Sequence, residues 1–259
     1  MPERDETRIR AVVLDLDDTL VTWQTLGHWQ WSWKPNGPVL PERRIRSIMH
    51  RVQHRWDRER WHALAESSSP SPPPPIPEFV AATLEEIAGH PLPVEETQAV
   101  VRRFLSSATG VELFPDARIL LTHLSAGERP WHVATYLPKA VAEGALRRAG
   151  VPADRLVSWG DNLELAPLPS RAGFRGIVAR VGGPARSILY VGDLFWSDYR
   201  AASRSGLTAV WLDRDNLGER TGATRVRALP EVEKWLDAPP AVAASAADEV
   251  PPPAPQADG

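Results

Sequence analysis

The sequence predicts an α/β protein with a Rossmann-like parallel sheet and an inserted block of helices. Two observations lead to this prediction. From about residue 111 onward, short apolar runs rich in β-branched residues alternate with segments of helical periodicity, which is the pattern of a parallel sheet covered on both faces. A first apolar run near residue 11 is separated from the others by a long stretch of helical patterns.

The composition narrows the classes of protein that need considering. The chain has 259 residues, of which 42% are hydrophobic, and a formal net charge of −3. This mild charge argues against a general nucleic-acid-binding protein. The absence of cysteine excludes disulfides, thiolate metal sites and a cysteine nucleophile. No apolar run approaches the roughly 20 residues that span a bilayer, and residues 1–10 do not resemble a secretion signal. We therefore expect a cytoplasmic protein without a membrane partner.

The predicted elements follow from periodicity. In the insertion we predict helices over residues 41–66, 77–88 and 94–107. Beyond it we predict helices over residues 118–126, 139–149, 174–181 and 197–205, and strands over residues 131–135, 155–159, 187–191 and 208–212.

These patterns divide the chain into two parts and a tail. We predict a core of residues 1–22 and 112–237, and an insertion of residues 23–111 that contains a Pro-rich loop at 67–77. Residues 238–259 are mostly Ala, Pro and acidic residues. Such a segment buries too little apolar surface to offset its ordering entropy, so we expect a disordered tail.

The residues that suggest chemistry stand where three predicted strands end. Asp15 and Asp17 come after the first strand, Thr135 ends the next, and Asp193 follows the strand at 187–191, with Asp198 five residues later. Ligands of parallel sheets bind at the carboxyl ends of the strands. Two carboxylates at a buried strand end are costly unless they are neutralised, and Mg²⁺ would neutralise them. For the first pair alone, an acidic turn without a ligand is the alternative.

In these motifs the chain resembles the haloacid dehalogenase-like (HAD) hydrolase superfamily, over about residues 12–236. The resemblance is carried by Asp15-Leu-Asp-Asp-Thr-Leu20, Phe114-Pro-Asp-Ala-Arg118, Val133-Ala-Thr135 and Val191-Gly-Asp193 through Asp198. It implies a HAD-like core, with the insertion as a helical cap of the subfamily I type. Caps of this kind close over the site and exclude water.

The resemblance also implies a role for each motif residue. Asp15 would attack phosphorus, and Asp17 would act as general acid and base. Thr135 would hold the phosphoryl group. The metal ligands would be the carboxylates of Asp15 and Asp193 and a backbone carbonyl near Asp17, with Asp198 in support.

The sequence departs from the superfamily at one position. Members carry a lysine, usually in a Lys-Pro pair about 25 residues before the last-motif aspartate, and here counting back reaches Leu168-Pro169. We favour Arg171 as the replacement cation and as a ligand of the phosphate, because it keeps the positive charge. Arg175 and Lys139 are the other candidates.

The function that follows is a Mg²⁺-dependent phosphatase that hydrolyses a small phosphorylated metabolite through an aspartyl-phosphate. A haloacid dehalogenase, in which Asp15 would displace halide from carbon, and a phosphomutase are the alternative enzymes. The missing lysine and the Pro-rich segments leave open a non-catalytic binding protein on the same fold. The substrate is not readable from the sequence.

Overall fold

The structure, a computed structural model, describes residues 8–23, 42–61, 76–106, 111–162, 168–214, 216 and 222–237. Most of the Pro-rich segment, residues 67–75, and the tail at 238–259 lie outside these ranges. The described residues form a six-stranded sheet in which every pairing is parallel, flanked by helices on both faces. The α/β class predicted from the sequence is therefore confirmed.

The strands bring the motif residues to one edge of the sheet. The described strands are β1 (Ala11–Asp15), β2 (Val21–Trp23), β3 (Val111–Leu113), β4 (Trp131–Ala134), β5 (Leu156–Ser158), β6 (Ile188–Gly192), β7 (Thr208–Leu212) and β8 (Arg225–Val226). The sheet order is β5-β4-β1-β6-β7-β8, so β1 is central. Asp15 pairs with Ala134 of β4, and Leu14 pairs with Val191 of β6. Thr135 and Asp193 follow these strands and therefore flank Asp15.

Helices account for both buried faces of the sheet. The described α-helices are α1 (Glu42–Trp56), α2 (Ile76–Ala88), α3 (Val94–Ser106), α4 (Pro115–Ala126), α5 (Lys139–Arg148), α6 (Arg171–Val181), α7 (Ala201–Arg204) and α8 (Lys234–Asp237). All five residues of β1, β6 and β7 are buried. Alternate residues of β1 point to opposite faces: Val12 and Leu14 pack with α4 and α5, and Val13 packs with α6. Because both faces of these strands are buried, their sequences are apolar throughout instead of alternating between apolar and polar residues.

The helical insertion, which we define as residues 42–106, is joined to the core by a short ribbon. β2 and β3 pair antiparallel, with Thr22 opposite Glu112. The boundaries predicted between core and insertion, after residue 22 and before residue 112, fall within this ribbon; the division into two domains stays a prediction. A π-helical turn, Asp57–Trp61, extends α1, and a second one, Phe195–Arg200, leads into α7. In the part of the chain that the structure describes, we find no helix of the length and apolarity needed to cross a membrane.

Two helices begin earlier than periodicity predicts. α6 starts at Arg171 because Ser170 caps it, its Oγ accepting a hydrogen bond of 3.0 Å from the Gly173 N–H. α4 starts at Pro115, where proline is favoured because the first turn needs no N–H donor. Apolar spacing marks the buried stripe of a helix but not the capping residues that decide where the helix begins.

Candidate active site

Asp15 is a buried carboxylate at the end of the central strand. Only 3% of the residue is exposed. Burial raises the pKa of Asp15 well above its ordinary value, and the charges of Asp198 and Asp17 raise it further. Hydrogen bonds from the Leu16 backbone and the Thr19 side chain oppose this shift. Leaving this group ionised therefore requires a positive charge nearby.

Asp193 and Asp198 complete a cluster of three carboxylates with Asp15. One carboxylate oxygen from each of the three lies within 4.8 Å of the other two. Burial, followed by the charges of Asp198 and Asp15, raises the pKa of Asp193 well above its ordinary value. The pKa of Asp198 is raised to about 7, mainly by burial, against the hydrogen bond it accepts from the Leu194 N–H. We call Asp15, Asp193 and Asp198 the acidic cluster.

The backbone around Asp193 is tightly held. The Trp211 indole N–H donates to the Asp193 carbonyl at 2.8 Å, and the Thr19 hydroxyl lies 3.4 Å from Asp193 Oδ1. Gly192 has no room for a side chain, because a Cβ there would overlap the Asp198 carboxyl group. The glycine of the last motif is thus required by the close approach of Asp198.

An arginine that the sequence reading did not single out supports the loop after β1. The Arg214 guanidinium donates to the backbone carbonyls of Asp18 at 2.6 Å and Thr19 at 2.9 Å. It also forms an ion pair with Asp116, at 2.9 Å. Asp18 has a φ of 55°, a left-handed conformation that aspartate tolerates better than most residues. Arg214 and Asp116 therefore fix the turn that follows the two aspartates.

The side chains of Asp17 and Thr135 each accept a hydrogen bond from the segment that follows β4. The Tyr136 hydroxyl donates to Asp17 Oδ2 at 3.2 Å. Burial, and then the charge of Asp17, raises the pKa of Tyr136 well above its ordinary value, so the phenol stays a hydrogen-bond donor. Thr135 is fully buried, and its Oγ1 accepts from the Leu137 N–H at 3.2 Å. The threonine hydroxyl proton is thus available for an oxygen that enters the site.

The three candidate cations for the missing lysine lie in different surroundings. The Arg171 guanidinium donates to the Arg204 carbonyl at 3.0 Å. Arg175 is exposed, and Lys139 is exposed beside Glu143, at 3.8 Å, and the Trp159 ring. Leu168 itself is buried in the apolar cluster that contains Phe174.

None of these three cations is among the groups that shift the pKa of Asp15 or Asp193. The assignment of Arg171 to the phosphate stays a prediction.

The helical insertion reaches the site through the end of α1 and the turn that follows it. Gln53 is buried, and its amide nitrogen lies 3.5 Å from Asp193 Oδ2. Asp57 is 1% exposed and accepts hydrogen bonds from the N–H groups of Trp196 and Ser197 and from the Ser197 hydroxyl, at 2.7–2.9 Å. Its charge also raises the pKa of Asp198. Asp57 therefore connects the helical insertion to the π-helical segment that follows Asp193.

The donor set suits a divalent cation. Three carboxylates with raised pKa values, buried at Asp15 and Asp198 and half-buried at Asp193, lie close together. No cationic side chain is among the causes that act on them in the described part of the chain. Oxygen ligands of this kind are those that Mg²⁺ takes in proteins. The structure thus brings together Asp15, Asp193 and Asp198, while Asp17, whose predicted contribution to the metal is a backbone carbonyl, lies beside them.

Comparisons with known proteins agree on the fold. No protein-family model matches the sequence, and no curated protein sequence does. Among solved structures, a magnesium-bound protein described as the HAD-hydrolase YfnB of Bacillus subtilis superposes with a TM-score of 0.64 at 19% identity. The alignment covers 88% of this chain and 99% of that one.

Two further structures show the same likeness. The L-2-haloacid dehalogenase of Xanthobacter autotrophicus gives a TM-score of 0.63 at 15% identity, over 88% of this chain and 98% of its own. A protein described as a phosphoglycolate phosphatase from Haemophilus somnus gives 0.55 at 19% identity, over 84% and 87%. At such identities the likeness shows the architecture and leaves the reaction open. The chain therefore has the fold of the haloacid dehalogenase-like hydrolases.

Proposed function

We propose that this protein is a Mg²⁺-dependent phosphatase that hydrolyses a small phosphorylated metabolite through an aspartyl-phosphate on Asp15. The observation that carries the proposal is the presence of two kinds of carboxylate at one sheet edge. Asp15 belongs to the acidic cluster with Asp193 and Asp198, whereas the Asp17 carboxyl group lies outside it and is hydrogen-bonded to Tyr136. A nucleophile beside a metal site and a separate acid–base group are what phosphoester hydrolysis in two steps needs.

Each residue has a defined task in the proposed reaction. In the first step an Asp15 oxygen bonds to phosphorus, the bond to the leaving oxygen breaks, and Asp17 gives its proton to that oxygen. In the second step Asp17 takes a proton from water, the water oxygen attacks phosphorus, and the bond to Asp15 breaks. Thr135 donates its hydroxyl proton to a phosphoryl oxygen.

The metal would be held by Asp15, Asp193 and the backbone carbonyl of Asp17, with Asp198 supporting them. When bound, Mg²⁺ supplies positive charge that offsets the carboxylates and the phosphoryl group. In this scheme Arg171, which donates to the Arg204 carbonyl, would be the cation that binds the phosphate.

The remaining alternatives differ in specific features. A halide leaves without a proton, so dehalogenase chemistry gives no reason for Asp17. Leu168, at the position of the superfamily lysine, is buried among apolar side chains, and this is the observation on which the alternative of a non-catalytic binding protein on the same fold rests.

The test is a panel of phosphate esters that includes 4-nitrophenyl phosphate, assayed with and without Mg²⁺. We expect phosphate release from the unaltered protein that stops when Mg²⁺ is removed. Asp15→Asn should lower the rate by about 10⁴-fold or more, because no nucleophile remains. Asp154→Asn, which alters an exposed aspartate in a 3₁₀ turn, should leave the rate unchanged.

Each alternative has its own result in this panel. Unchanged turnover in Asp15→Asn would contradict the proposal. Halide release from a 2-haloacid without Mg²⁺ would indicate a dehalogenase, and phosphate moved within the substrate would indicate a mutase. Failure to hydrolyse any ester, together with no Mg²⁺ binding by calorimetry, would indicate a non-catalytic protein.

A further inference from the structure

We infer that Tyr136 is the positioning residue for Asp17, and that it links the proton-transfer group to the helical insertion. This inference rests on the proposed function and extends it to a residue with no part in the scheme above. The Tyr136 hydroxyl donates to Asp17 Oδ2 at 3.2 Å. This bond engages Oδ2 of Asp17, and we assign the proton exchange with the substrate to its other oxygen, Oδ1.

The backbone that carries Tyr136 is fixed from both sides. The Thr135 N–H donates to the Ser158 carbonyl at 3.0 Å, and the Gly160 N–H donates to the Leu137 carbonyl at 2.8 Å. Gly160 packs so closely against Tyr136 that a Cβ would overlap the tyrosine carbonyl group. The phenol is therefore presented to Asp17 by a rigid segment, the one that also carries the proposed phosphate ligand Thr135.

Tyr136 lies between the site and a cluster to which the helical insertion contributes. It packs against the cluster formed by Ile48, Val52 and Trp56 of α1 together with Leu194 of the loop after β6. Its hydroxyl contacts Asp17. The orientation of the acid–base carboxyl group consequently depends on the insertion lying where the structure has it.

The charge of the site explains why a tyrosine suits this position. Among the described residues, no cationic side chain contributes to the pKa shifts of Asp15 and Asp193, the carboxylates near Asp17. A phenol stabilises one orientation of the carboxyl group without adding a charge, and it keeps its own proton in both steps. Asp17 alone gains and loses the transferred proton.

The experiment compares Tyr136→Phe with the unaltered protein on two esters, an alkyl phosphate and 2,4-dinitrophenyl phosphate. The alkyl leaving group needs a proton and the dinitrophenyl group does not. We expect kcat/KM to fall about 10- to 100-fold on the alkyl ester, as for loss of a hydrogen bond to a charged group, and less than about twofold on the dinitrophenyl ester. Mg²⁺ affinity, measured by calorimetry, should not change.

A matched control is Tyr199→Phe, because the Tyr199 hydroxyl accepts from the Thr224 N–H and has no part in the proposed reaction. It should affect neither ester. An equal fall on both esters for Tyr136→Phe, no fall on either, or a loss of Mg²⁺ affinity would overturn the inference while the phosphatase assignment stands. Absence of hydrolysis in the unaltered protein would overturn the proposed function, and this inference with it.

Discussion

At the level of single residues, the site is defined by negative charge that the described side chains do not offset. The pKa values of Asp15, Asp193 and Asp198 are all raised, in each case with burial as the largest cause. A protein that gathers three carboxylates in a largely buried site loses stability unless a ligand offsets their charge. We therefore read the acidic cluster as a feature retained for binding rather than for folding.

Some residues of the site could be predicted from the sequence, and others could not. Asp15 and Asp193 could be predicted because each stands at or just beyond the end of an apolar run, so the strand pattern predicts that they meet. Asp198 could be predicted from its place in the last motif, five residues after Asp193. The roles of Tyr136 and Arg214 could not be predicted from the sequence, because their partners Asp17 and Asp18 lie 119 and 196 positions away in the chain. A tyrosine after a strand and an arginine after another carry no local pattern that distinguishes them from surface residues.

Replacing Arg214 tests whether this residue supports catalysis through the turn after β1, in addition to its contribution to stability. Arg214→Ala removes the donors to the Asp18 and Thr19 carbonyls, so the turn loosens and kcat/KM for phosphate esters should fall about tenfold or more, since small misplacements of reacting groups are costly. The measurement is steady-state hydrolysis together with thermal unfolding.

The matched control for Arg214 is Arg129→Ala. Arg129 is similarly buried and likewise donates to a backbone carbonyl, that of Ile9, and to a carboxylate, Asp237. Both substitutions should destabilise the protein, but only Arg214→Ala should impair hydrolysis. Equal activity of the two variants would contradict the role given to Arg214.

At the level of elements, a buried carboxylate of the helical insertion makes three of the hydrogen bonds that join the insertion to the core. Asp57 accepts three hydrogen bonds from Trp196 and Ser197 at the start of the π-helical segment that leads into α7. These N–H groups have no partner within their own helix at that point, and a carboxylate suits them electrostatically. The π-helical turn after α1 is where the chain places Asp57 for this contact.

Loss of the Asp57 carboxylate should therefore destabilise the protein strongly. We expect Asp57→Ala to lower the free energy of unfolding by about 3 kcal/mol, because it leaves two buried backbone donors unsatisfied. Denaturant unfolding measures this change. Glu86→Ala is the control, since Glu86 joins α2 to Arg51 and Arg55 at the surface and should cost at most about 1 kcal/mol. Equal losses in the two variants would contradict the role assigned to Asp57.

Most elements were predictable, and the exceptions have physical causes. The strand at Thr208–Leu212 and the helix at Val94–Ser106 follow apolar patterns and were predicted to within one residue. The β2–β3 ribbon was not, because its two strands have three residues each and pair across the whole insertion. The two-residue strand β8 is too short to show a period at all.

At the level of the whole molecule, the acidic cluster links stability, pH and metal binding. The pKa of Asp198 is about 7 in the folded protein, against an ordinary value of 3.8. Between these pH values the folded chain holds more protons than the unfolded chain, so the contribution of this group to stability declines as the pH rises through 7. A cation that binds the ionised carboxylates opposes this decline.

The stabilisation by Mg²⁺ should therefore grow with pH. We expect the rise in Tm on adding saturating Mg²⁺ to be larger at pH 8 than at pH 5, because at pH 5 protons compete for the same oxygens. Differential scanning fluorimetry at matched ionic strength measures it, with NaCl as the control for general screening. A rise in Tm that is the same at both pH values would show that Mg²⁺ does not act through these carboxylates.

The fold as a whole does not choose among reactions, because one structural neighbour is described as a dehalogenase and another as a phosphatase. The covalent intermediate does distinguish these reactions, because a phosphatase of this kind forms an aspartyl-phosphate. In Asp17→Asn the first step with an activated ester needs no proton donor, whereas the second step lacks its base, so a phosphorylated enzyme should accumulate.

The most direct test is therefore mass spectrometry of Asp17→Asn after mixing with 2,4-dinitrophenyl phosphate and Mg²⁺ and quenching in acid. We predict one added phosphoryl group that maps to Asp15 and is absent when Asp15 is also replaced by Asn. A chain that remains unmodified while phosphate is released, or a phosphoryl group on another residue, would contradict the assignment of Asp15 as the nucleophile.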